Sequence, residues 1–480
     1  MTYESALDVL TRHGQTHLLR FWNELDAAAR ETLLAEIAAI DFDLVAGLHR
    51  DLVTTPAGAG AAASMDRTPA SLSPLRGQNI DEARRAVFRD EGLKPLAQGR
   101  CAAFLVAGGQ GTRLGHDGPK GVFDIGLPSG KSLFQLQAER LKRLGALCGK
   151  PVPWYIMTSR ENHAATTGFF REHDYFGLNE SDIMFFPQGE CPLTDQQGRI
   201  LLADKGRIAL GPNGNGGCFP ALKHAGALAD MERRGVEWVF VYSVDNALVR
   251  VCDPVFLGFA LASGLPAASK AVAKSSPEER VGVFCRRGDG PEGGRPSVIE
   301  YSEMSPELCA ARDGDGELLY GSANIAVHLF RRDFLEAHAD AALPWHVAHK
   351  KIPHIAVDAA HGNAPGARVI PSAPNAYKFE LFMFDLFPMA PDMAVLNVER
   401  AAEFAPVKNR DGADSPATAR ALILALHRRW AEQAGAPVLQ SPVGAGTDLE
   451  VEISPTTSYA GEGLSPESFT YDGSRNLLTA

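Results

Sequence analysis

From Cys101 onwards, buried strands alternate with amphipathic helices, and this alternation constrains the fold more than any other feature of the chain. The segment CAAFLVA predicts a buried strand, and Ser132 to Leu144 predicts a helix with leucines on one side. VPWYIMTS, DIMFF and WVFVYSVDN predict three further strands, the last of them after a helix around Leu222 to Met231. Strands joined by helices at this spacing form a sheet with both faces covered. We therefore predict an α/β fold with a central Rossmann-like, mostly parallel sheet.

The regions before and after this sheet have different patterns. Apolar residues recur at helical spacing over residues 1–54, and the Ala/Gly-rich stretch Thr54 to Met65 has the composition of a connector. After residue 268 the strands shorten and turns multiply, which indicates an antiparallel extension. Near the end, Ser415, Pro416 and Gly435 mark the limits of a helix. We predict a helical N-terminal region with a linker over 1–96, the sheet domain over 97–390 and a smaller α+β domain over 391–480.

Composition excludes several classes of protein. The 480 residues are 45% hydrophobic and 22% charged, which is ordinary for a globular protein of two or three domains. A net charge of -11 argues against a partner that is a nucleic acid or an anionic membrane, since either needs a basic face. The seven cysteines lack CxxC spacing, and neither a signal sequence nor a membrane span is evident. We predict a cytoplasmic protein that is a monomer or a weak homo-oligomer.

Two glycine-rich loops lie within one stretch, LVAGGQGTRLGHDGPKGVFDIGLPSGKS. The second, GLPSGKS, resembles a P-loop but has three residues between its glycines instead of four. We interpret it as the turn that begins a helix. The first, GGQGTRLG, has Leu114 where a dinucleotide-binding fingerprint would have its third glycine. A dinucleotide site is therefore not indicated either.

The first loop offers a different kind of phosphate site. Gly108, Gly109 and Gly111 follow a buried strand directly, so main-chain amides can approach a ligand closely. Arg113 and Lys120 add two positive charges within a dozen residues. The combination predicts a site for a triphosphate whose terminal phosphates leave as pyrophosphate, and the alternative is a tight turn with two solvated cations.

The same loop, LVAGGQGTRLGHDGPKG, closely resembles the nucleotide loop of the eukaryotic-type UDP-N-acetylhexosamine pyrophosphorylases. The resemblance continues along the chain in GQTHLLRFWNEL, IMTS…FFREHDYFGL, FFPQGECP, PNGNGG, YSVDNALVRVCDPVFLGF, VIEYSEM, HVAHKKIPHI, NAYKFELFMFDLF, FAPVKN and EISPTTSYAGEG. It implies a GT-A-like nucleotidyltransferase domain over 97–390. It also implies the reaction of UTP with an N-acetylhexosamine 1-phosphate, giving a UDP-sugar and pyrophosphate, with Mg²⁺ as the metal.

The resemblance also implies roles for individual residues. The nucleotide contacts that it implies are Gly108, Gly109, Gln110, Gly111, Gln188 on the uracil, and Gly214. The sugar or substrate contacts that it implies are Asn215, Glu300, Tyr301 and Asn324, with Lys378 and Lys408 near the phosphates. We expect Arg113, Lys120 and Lys378 to be catalytic, because two anions must meet and a pyrophosphate must leave.

Asp245 is singled out by its position as well as by the resemblance. It follows the apolar run VFVYSV, so it should project from the carboxyl end of a buried strand, where ligands of such sheets collect. A carboxylate there can bind the nucleotide's Mg²⁺ while phosphates and water fill the other positions, and the alternative is a buried strand-end aspartate that caps a loop. His13 and His17, one helical turn apart, lack a third metal ligand nearby, and we interpret them as surface or packing residues.

Two departures from the family pattern leave open which sugar 1-phosphate is the substrate. Gly321-Ser322-Ala323-Asn324 stands where Asn-Ala-Gly-Asn is expected, and Ser243 stands where the family has cysteine. The predicted reaction joins UTP and N-acetylglucosamine 1-phosphate. The alternatives are a UDP-glucose or broad-specificity UDP-sugar pyrophosphorylase, a catalytically silent UDP-sugar-binding regulator, and a P-loop kinase or NTPase.

Overall fold

The computed structural model describes residues 1–55, 72–288, 294–359, 364–436 and 449–480. The α-helices in these ranges are α1 (Tyr3–Arg12), α2 (Ala27–Ala38), α3 (Phe42–His49), α4 (Glu82–Ala97), α5 (Leu133–Cys148), α6 (His163–Glu172), α7 (Cys218–His224), α8 (Ala227–Arg233), α9 (Pro254–Ser263), α10 (Pro306–Ala310), α11 (Arg332–His338), α12 (Arg400–Glu403) and α13 (Pro416–Gln433).

The strands in the same ranges are β1 (Leu72–Pro74), β2 (Cys101–Val106), β3 (Trp154–Thr158), β4 (Ile183–Pro187), β5 (Glu190–Pro192), β6 (Leu202–Asp204), β7 (Arg207–Ile208), β8 (Leu210–Pro212), β9 (Trp238–Ser243), β10 (Ala267–Ala273), β11 (Val283–Arg287), β12 (Arg295–Ile299), β13 (Ser322–Arg331), β14 (Trp345–Lys350), β15 (His354–Ile355), β16 (Arg368–Val369), β17 (Ala376–Leu381), β18 (Ala394–Asn397), β19 (Glu450–Glu452), β20 (Thr470–Asp472) and β21 (Leu477–Thr479).

The chain forms two compact units that are interleaved along the sequence. The smaller unit consists of the described residues within Met1–Thr68, Gln188–Cys218 and Ala341–Leu386. The larger unit consists of those within Pro69–Pro187, Phe219–Asp340 and Phe387–Ala480. The sequence prediction used three consecutive ranges instead, and it stays a prediction about which pieces of the chain fold independently.

A ten-stranded mixed sheet forms the centre of the larger unit, in the order β1-β11-β13-β9-β2-β3-β4 with β10, β12 and β18 branching from it. Strands β9, β2, β3 and β4 are parallel. Strand β13 runs antiparallel to β9, β10 and β11, and β12 pairs antiparallel with β11. The α/β fold with mostly parallel central strands is confirmed, and the antiparallel extension after residue 268 is confirmed with it.

Helices α4 and α9 contribute to the apolar core of the central sheet. Strands β2 and β9 are buried along nearly their whole length, as expected for parallel strands with both faces covered. Helices α4 and α9 cross at two glycines: a Cβ on Gly92 would lie 1.8 Å from the carbonyl oxygen of Pro254, and one on Gly258 would lie 1.9 Å from that of Phe88. Only glycine permits this close helix–helix approach.

In the smaller unit, α1 to α3 pack against short hairpins through a common apolar core. Nε2 of His17 lies 2.8 Å from the carbonyl oxygen of Ile200, and burial lowers the pKa of His17. The ring of His13 stacks on that of Phe42. Both histidines therefore have packing roles, and no group of three metal-ligating side chains occurs among the described residues.

One predicted helix differs in the structure. The segment around Leu222 to Met231 forms two helices, α7 and α8, because Gly226 between them takes φ +75°, a left-handed conformation that an α-helix does not continue through. The helix that begins after Ser415 is confirmed as α13, with the Ser415 side chain accepting from the amide of Thr418. Most of the proposed connector, 56–65, lies outside the described residues. None of the helices in the described ranges combines the length and apolar character required to cross a membrane.

Candidate nucleotide site

Two loops of the larger unit leave the sheet at the same edge. Val106, the last residue of β2, pairs with Ser243, the last residue of β9. The glycine loop follows β2, and Asp245 follows β9. The register therefore places the glycine loop beside Asp245 at the carboxyl ends of two adjacent parallel strands, which is where such sheets bind ligands.

The glycine loop is closed by its own backbone. The amide of Gly111 donates to the carbonyl oxygen of Gly118 at 2.8 Å, and the amide of Lys120 donates to that of Gly109 at 3.1 Å. The amides of Gly108, Gly109 and Gln110 donate to no acceptor within the described residues. Three consecutive free N–H groups after a buried strand are the kind of backbone donor that binds phosphate oxygens.

The glycines of the loop differ in what they permit. A Cβ on Gly109 would meet no atom within 4 Å, whereas one on Gly111 would lie 2.9 Å from the His116 ring. Gly111 is therefore glycine because of packing within the loop. Gly109 is open, so a ligand can come close to its backbone.

Asn162, which the sequence analysis did not single out, supports this loop from the turn after β3. Its side chain is buried, and its Nδ2 donates to the carbonyl oxygen of Ala107 at 3.0 Å and lies 3.4 Å from that of Gly109. Its Oδ1 accepts from the amide of Ser159 at 2.8 Å. No sequence motif marks this asparagine, because only the pairing of β2 with β3 brings it under the loop.

Lys120 lies at the centre of the charged residues in this part of the site. Its Nζ donates to the carbonyl oxygen of Val407 at 3.2 Å. Burial lowers the pKa of Lys120 below its ordinary value of 10.5, the Asp245 carboxylate raises it, and the charges of Arg113 and Lys408 lower it further. The structure thus brings together three cations that the sequence predicted to act on phosphates and the aspartate that it predicted to bind the metal or the nucleotide.

The other charged groups remain available for a ligand. The exposed guanidinium of Arg113 and the half-buried carboxylate of Asp245 make no hydrogen bond or ion pair with the part of the chain that the structure describes. Lys408 is 3.9 Å from the carboxylate of Asp414, a long contact between two partly exposed side chains. Three positive groups and one carboxylate suit a triphosphate that carries a metal.

Two of the predicted sugar-contacting residues of the larger unit, Asn324 and Glu300, lie next to Gly282. The amide of Asn324 donates to the Gly282 carbonyl oxygen at 2.9 Å, and the Glu300 carboxylate would lie 2.8 Å from a Cβ on Gly282. Oδ1 of Asn324 accepts from the amide of Ala326 at 2.9 Å, where the backbone takes the unfavourable φ of +54°. Tyr301 is next to Glu300 and is 42% exposed.

The departure at Ser322 has a structural explanation. Its hydroxyl accepts a hydrogen bond from the amide of Gly77 at 3.0 Å, and Nδ2 of Asn397 donates to the carbonyl oxygen of Gly77 at 2.8 Å. Ser322 thus fixes the chain before α4 against the start of β13. The alanine that the family pattern leads us to expect at this position could not accept this hydrogen bond.

The smaller unit holds the remaining predicted residues. On β17, Nζ of Lys378 donates to the Glu380 carboxylate at 2.7 Å, and both side chains are about three-quarters or more buried. The residues at i and i+2 of a strand share a face, so Glu380 could have been found from the spacing in NAYKFEL. Glu380 was not among the residues predicted from the sequence.

The turn after β8 is packed against the end of β17. A Cβ on Gly214, which takes φ +88°, would lie 2.3 Å from the Leu381 carbonyl oxygen, so only glycine fits. Oδ1 of Asn215 accepts from the amide of Met383 at 2.9 Å, which leaves its Nδ2 for another partner. Gln188 follows β4 and is 9% exposed.

The second glycine-rich loop is occupied by carboxylates of the protein itself. The amide and hydroxyl of Ser129 donate to Glu452 at 2.8 and 2.5 Å, and Nζ of Lys131 donates to Glu139 at 2.6 Å. The side chain of Ser132 caps α5 by accepting from the amide of Gln135. The interpretation as a helix-start turn is confirmed.

In the part of the chain that the structure describes, a mixed α/β sheet with free backbone amides, Arg113 and Asp245 at its carboxyl edge is typical of nucleotide-binding proteins. The chain belongs to the UTP–glucose-1-phosphate uridylyltransferase family, whose sequence model matches residues 78–454. It is thus a member of a family of enzymes that transfer uridylyl groups.

Individual relatives cover nearly the whole chain. It is 42% identical to the UDP-N-acetylhexosamine pyrophosphorylase-like protein 1 of Homo sapiens, over 95% of this chain and 92% of that protein. It is 39% identical to the UDP-N-acetylglucosamine pyrophosphorylase of Saccharomyces cerevisiae, over 94% of each. The crystal structure of the Trypanosoma brucei uridine diphosphate N-acetylglucosamine pyrophosphorylase in complex with inhibitor matches with a TM-score of 0.78 at 30% identity, over 96% of this chain and 93% of that one.

Proposed function

We propose that this chain transfers the uridylyl group of UTP to N-acetylglucosamine 1-phosphate, giving UDP-N-acetylglucosamine and pyrophosphate. The observation that carries the proposal is the run of free amides at Gly108 to Gln110 beside Lys120, Arg113 and Asp245. The names of the relatives with 39% identity or more support both the uridylyl transfer and the N-acetylated sugar.

The reaction requires one phosphate oxygen of the sugar phosphate to attack the α-phosphorus of UTP. As that bond forms, the bond from the α-phosphorus to the bridging oxygen breaks, and pyrophosphate carries away the electron pair. The amides of the glycine loop hold the phosphates, and Lys120 and Arg113 neutralise the charge that grows on the leaving group. Because Lys120 is largely buried, its charge acts through a poorly screening medium and is correspondingly effective.

The other predicted residues take roles in the same reaction. Lys378 and Lys408 neutralise the incoming phosphate. The side-chain amide of Gln188 binds the uracil edge, since it can both donate and accept. Gly214 and Asn215 contact nucleotide and substrate, and Glu300, Tyr301 and Asn324 contact the sugar.

Mg²⁺ is the metal that this chemistry implies, and Asp245 fits it. Its carboxylate follows the end of β9 and makes no hydrogen bond or ion pair within the described ranges. Mg²⁺ usually takes one or two protein carboxylates and completes its shell with phosphates and water, so a cluster of protein ligands is not required. When bound, the ion supplies positive charge that stabilises phosphate oxygens during transfer.

Product analysis tests this function. Purified protein is given UTP, Mg²⁺ and, in separate reactions, the 1-phosphates of N-acetylglucosamine, N-acetylgalactosamine and glucose. We expect pyrophosphate and UDP-sugar, formed fastest with N-acetylglucosamine 1-phosphate. A strong preference for glucose 1-phosphate would establish the UDP-glucose alternative, and orthophosphate without UDP-sugar would establish an NTPase.

The cellular setting that we infer follows from composition. An acidic protein with scattered free cysteines suits the reducing cytoplasm. A monomer or weak homo-oligomer is expected, and sedimentation of the purified protein over a range of concentrations measures this directly.

A further inference from the structure

The side chain of Asn246, the residue after Asp245, is 3% exposed and makes three hydrogen bonds. Its Oδ1 accepts from the amides of Ala405 at 3.0 Å and Leu248 at 3.2 Å. Its Nδ2 donates to the carbonyl oxygen of Glu403 at 2.8 Å. One side chain thus joins the loop after β9 to the segment that follows α12.

The backbones on the two sides of Asn246 are also paired. The amide of Val407 donates to the carbonyl oxygen of Asp245 at 2.8 Å, and the amide of Ala247 donates to that of Ala405 at 3.0 Å. These bonds form a short antiparallel bridge centred on Asn246 and Pro406. We refer to residues 245–247 and 405–408 together as the clasp.

The clasp carries or holds three of the charged groups that are proposed to act on the phosphates or their metal. Asp245 and Lys408 belong to it, and Lys120 donates from Nζ to the carbonyl oxygen of Val407 at 3.2 Å. Asp245 raises the pKa of Lys120, and Lys408 lowers it, so the three charges interact. Any change in the spacing of the two sides of the clasp would move these charges relative to one another.

Helix α5 fixes one side of the clasp from the interior. Gln137, which is 1% exposed, lies with Nε2 3.4 Å from the carbonyl oxygen of Val244. Arg140, 7% exposed, donates from Nη2 to the carbonyl oxygen of Ala247 at 2.8 Å. The two carbonyl groups flank Asp245, so the loop after β9 is fixed by the helix while Asn246 connects it to the other side.

We propose that Asn246 is a positioning residue that sets the spacing between the Asp245 carboxylate and the ammonium groups of Lys120 and Lys408, an inference that rests on the proposed function. Its side-chain oxygen and nitrogen are engaged inside the protein, so it acts through its neighbours and not on the substrate. A buried, hydrogen-bonded polar network is rigid. Displacements of about 1 Å in such a network can reduce turnover by about a hundredfold.

The test compares Asn246→Ala and Asn246→Ser with the unchanged protein in the binding of UTP at rising Mg²⁺ and in steady-state turnover. We expect the Mg²⁺-dependent gain in UTP affinity to fall by about tenfold and kcat to fall by about tenfold to a hundredfold in Asn246→Ala. The serine variant keeps a hydroxyl at the site and should lose less. The control is Tyr155→Phe, which removes a hydrogen bond to Asp230 on α8, outside the clasp.

A lower melting temperature with unchanged kcat and unchanged Mg²⁺-dependent UTP binding would overturn the proposal, because Asn246 would then serve folding alone. If the variants do not fold, hydrogen exchange on the unchanged protein decides. The amides of Ala405 and Val407 should exchange as slowly as those of β9, and rapid exchange would contradict a rigid clasp. A further outcome separates the two proposals. If the unchanged protein binds UTP in a way that depends on Mg²⁺ and on Asn246, but forms no UDP-sugar, the proposed function is refuted and the positioning role of Asn246 is not.

Discussion

At the scale of single residues, the lowered pKa of Lys120 has a consequence for the pH dependence of the reaction. Burial disfavours its charged form, so the free protein loses this proton below the ordinary lysine value of 10.5. Above the lowered pKa the cation that neutralises the leaving group is gone. We expect kcat/KM for UTP to fall as the pH rises, with an apparent pKa that lies below the ordinary lysine value of 10.5.

The Lys120→Arg variant separates this effect from the proton that the uracil ring itself loses in alkali. Arginine stays charged, so only the limb that belongs to the substrate should remain. In Lys408→Gln a positive neighbour is removed, the pKa of Lys120 rises, and the alkaline limb should move to higher pH. Identical pH profiles of kcat/KM for the unchanged protein, Lys120→Arg and Lys408→Gln would show that Lys120 does not titrate in the reaction.

Two glycines that look alike in the sequence should respond differently to the same substitution. In Gly109→Ala the new methyl meets no protein atom within 4 Å, so the melting temperature should be unchanged. The methyl fills the space by which a phosphate would approach, and UTP binding should weaken by about tenfold, or about 1.4 kcal/mol.

Gly214→Ala is the matched comparison for Gly109→Ala. Its methyl would lie 2.3 Å from the Leu381 carbonyl oxygen at a φ of +88°, so stability should fall by about 1–3 kcal/mol. Calorimetry of UTP binding and thermal unfolding measure the two effects. Full UTP affinity in Gly109→Ala would mean that phosphates do not approach this loop.

Site residues could be predicted from the sequence where a local pattern of neighbouring residues marks them. The glycine loop, Lys120 and Asp245 were found because each stands directly after an apolar strand or within a charged loop. Asn162 and Asn246 could not be found in this way. Their contacts join segments that are far apart in the chain, such as the contact of Asn246 with Glu403. No pattern in the neighbouring sequence predicts these contacts.

At the scale of elements, the packing of α13 against β19 depends on a neutral histidine. Nδ1 of His427 accepts from the amide of Ile453 at 3.1 Å, and burial, with Arg140 and Lys131 nearby, lowers the pKa of His427 to about 3. In the unfolded chain a histidine takes up its proton near pH 6.5. Between these values the unfolded state binds one proton more, so the free energy of unfolding decreases as the pH falls.

The expected contribution of His427 is about 1.4 kcal/mol of unfolding free energy per pH unit over that window. His427→Gln should therefore show a slope that is shallower by about this amount in urea unfolding between about pH 6 and pH 4. His224→Gln, at an exposed position on α7, controls for loss of a histidine as such. Equal slopes for His427→Gln and the unchanged protein would show that His427 is not buried in its neutral form.

The elements themselves were predictable where periodicity and capping signals agree. Both ends of α13 were predicted closely from Ser415, Pro416 and Gly435, because the signals that begin and end a helix are local in the sequence. The break between α7 and α8 was missed because a single glycine inside a helical pattern is often tolerated, and only its left-handed φ at Gly226 ends the helix.

At the scale of the whole molecule, the two interleaved units could not be read from the sequence. The smaller unit takes segments from three distant parts of the chain, whereas pattern reasoning divides a sequence into consecutive stretches. The central sheet was predictable because its strands are uniformly apolar. The partnership of residues 1–55 with residues 188–218 depends on long-range packing, for example between His17 and Ile200, that no local pattern encodes.

The free amides of the first glycine loop, together with Lys120 and Asp245, are proposed to hold the phosphates of a uridine nucleotide. The most direct measurement is a crystal structure of the protein with UDP-N-acetylglucosamine and Mg²⁺. We predict that diphosphate oxygens lie within hydrogen-bonding distance of the amides of Gly108 to Gln110. Phosphates found at residues 126–132 instead, or a uridine far from the loop after β2, would contradict the account.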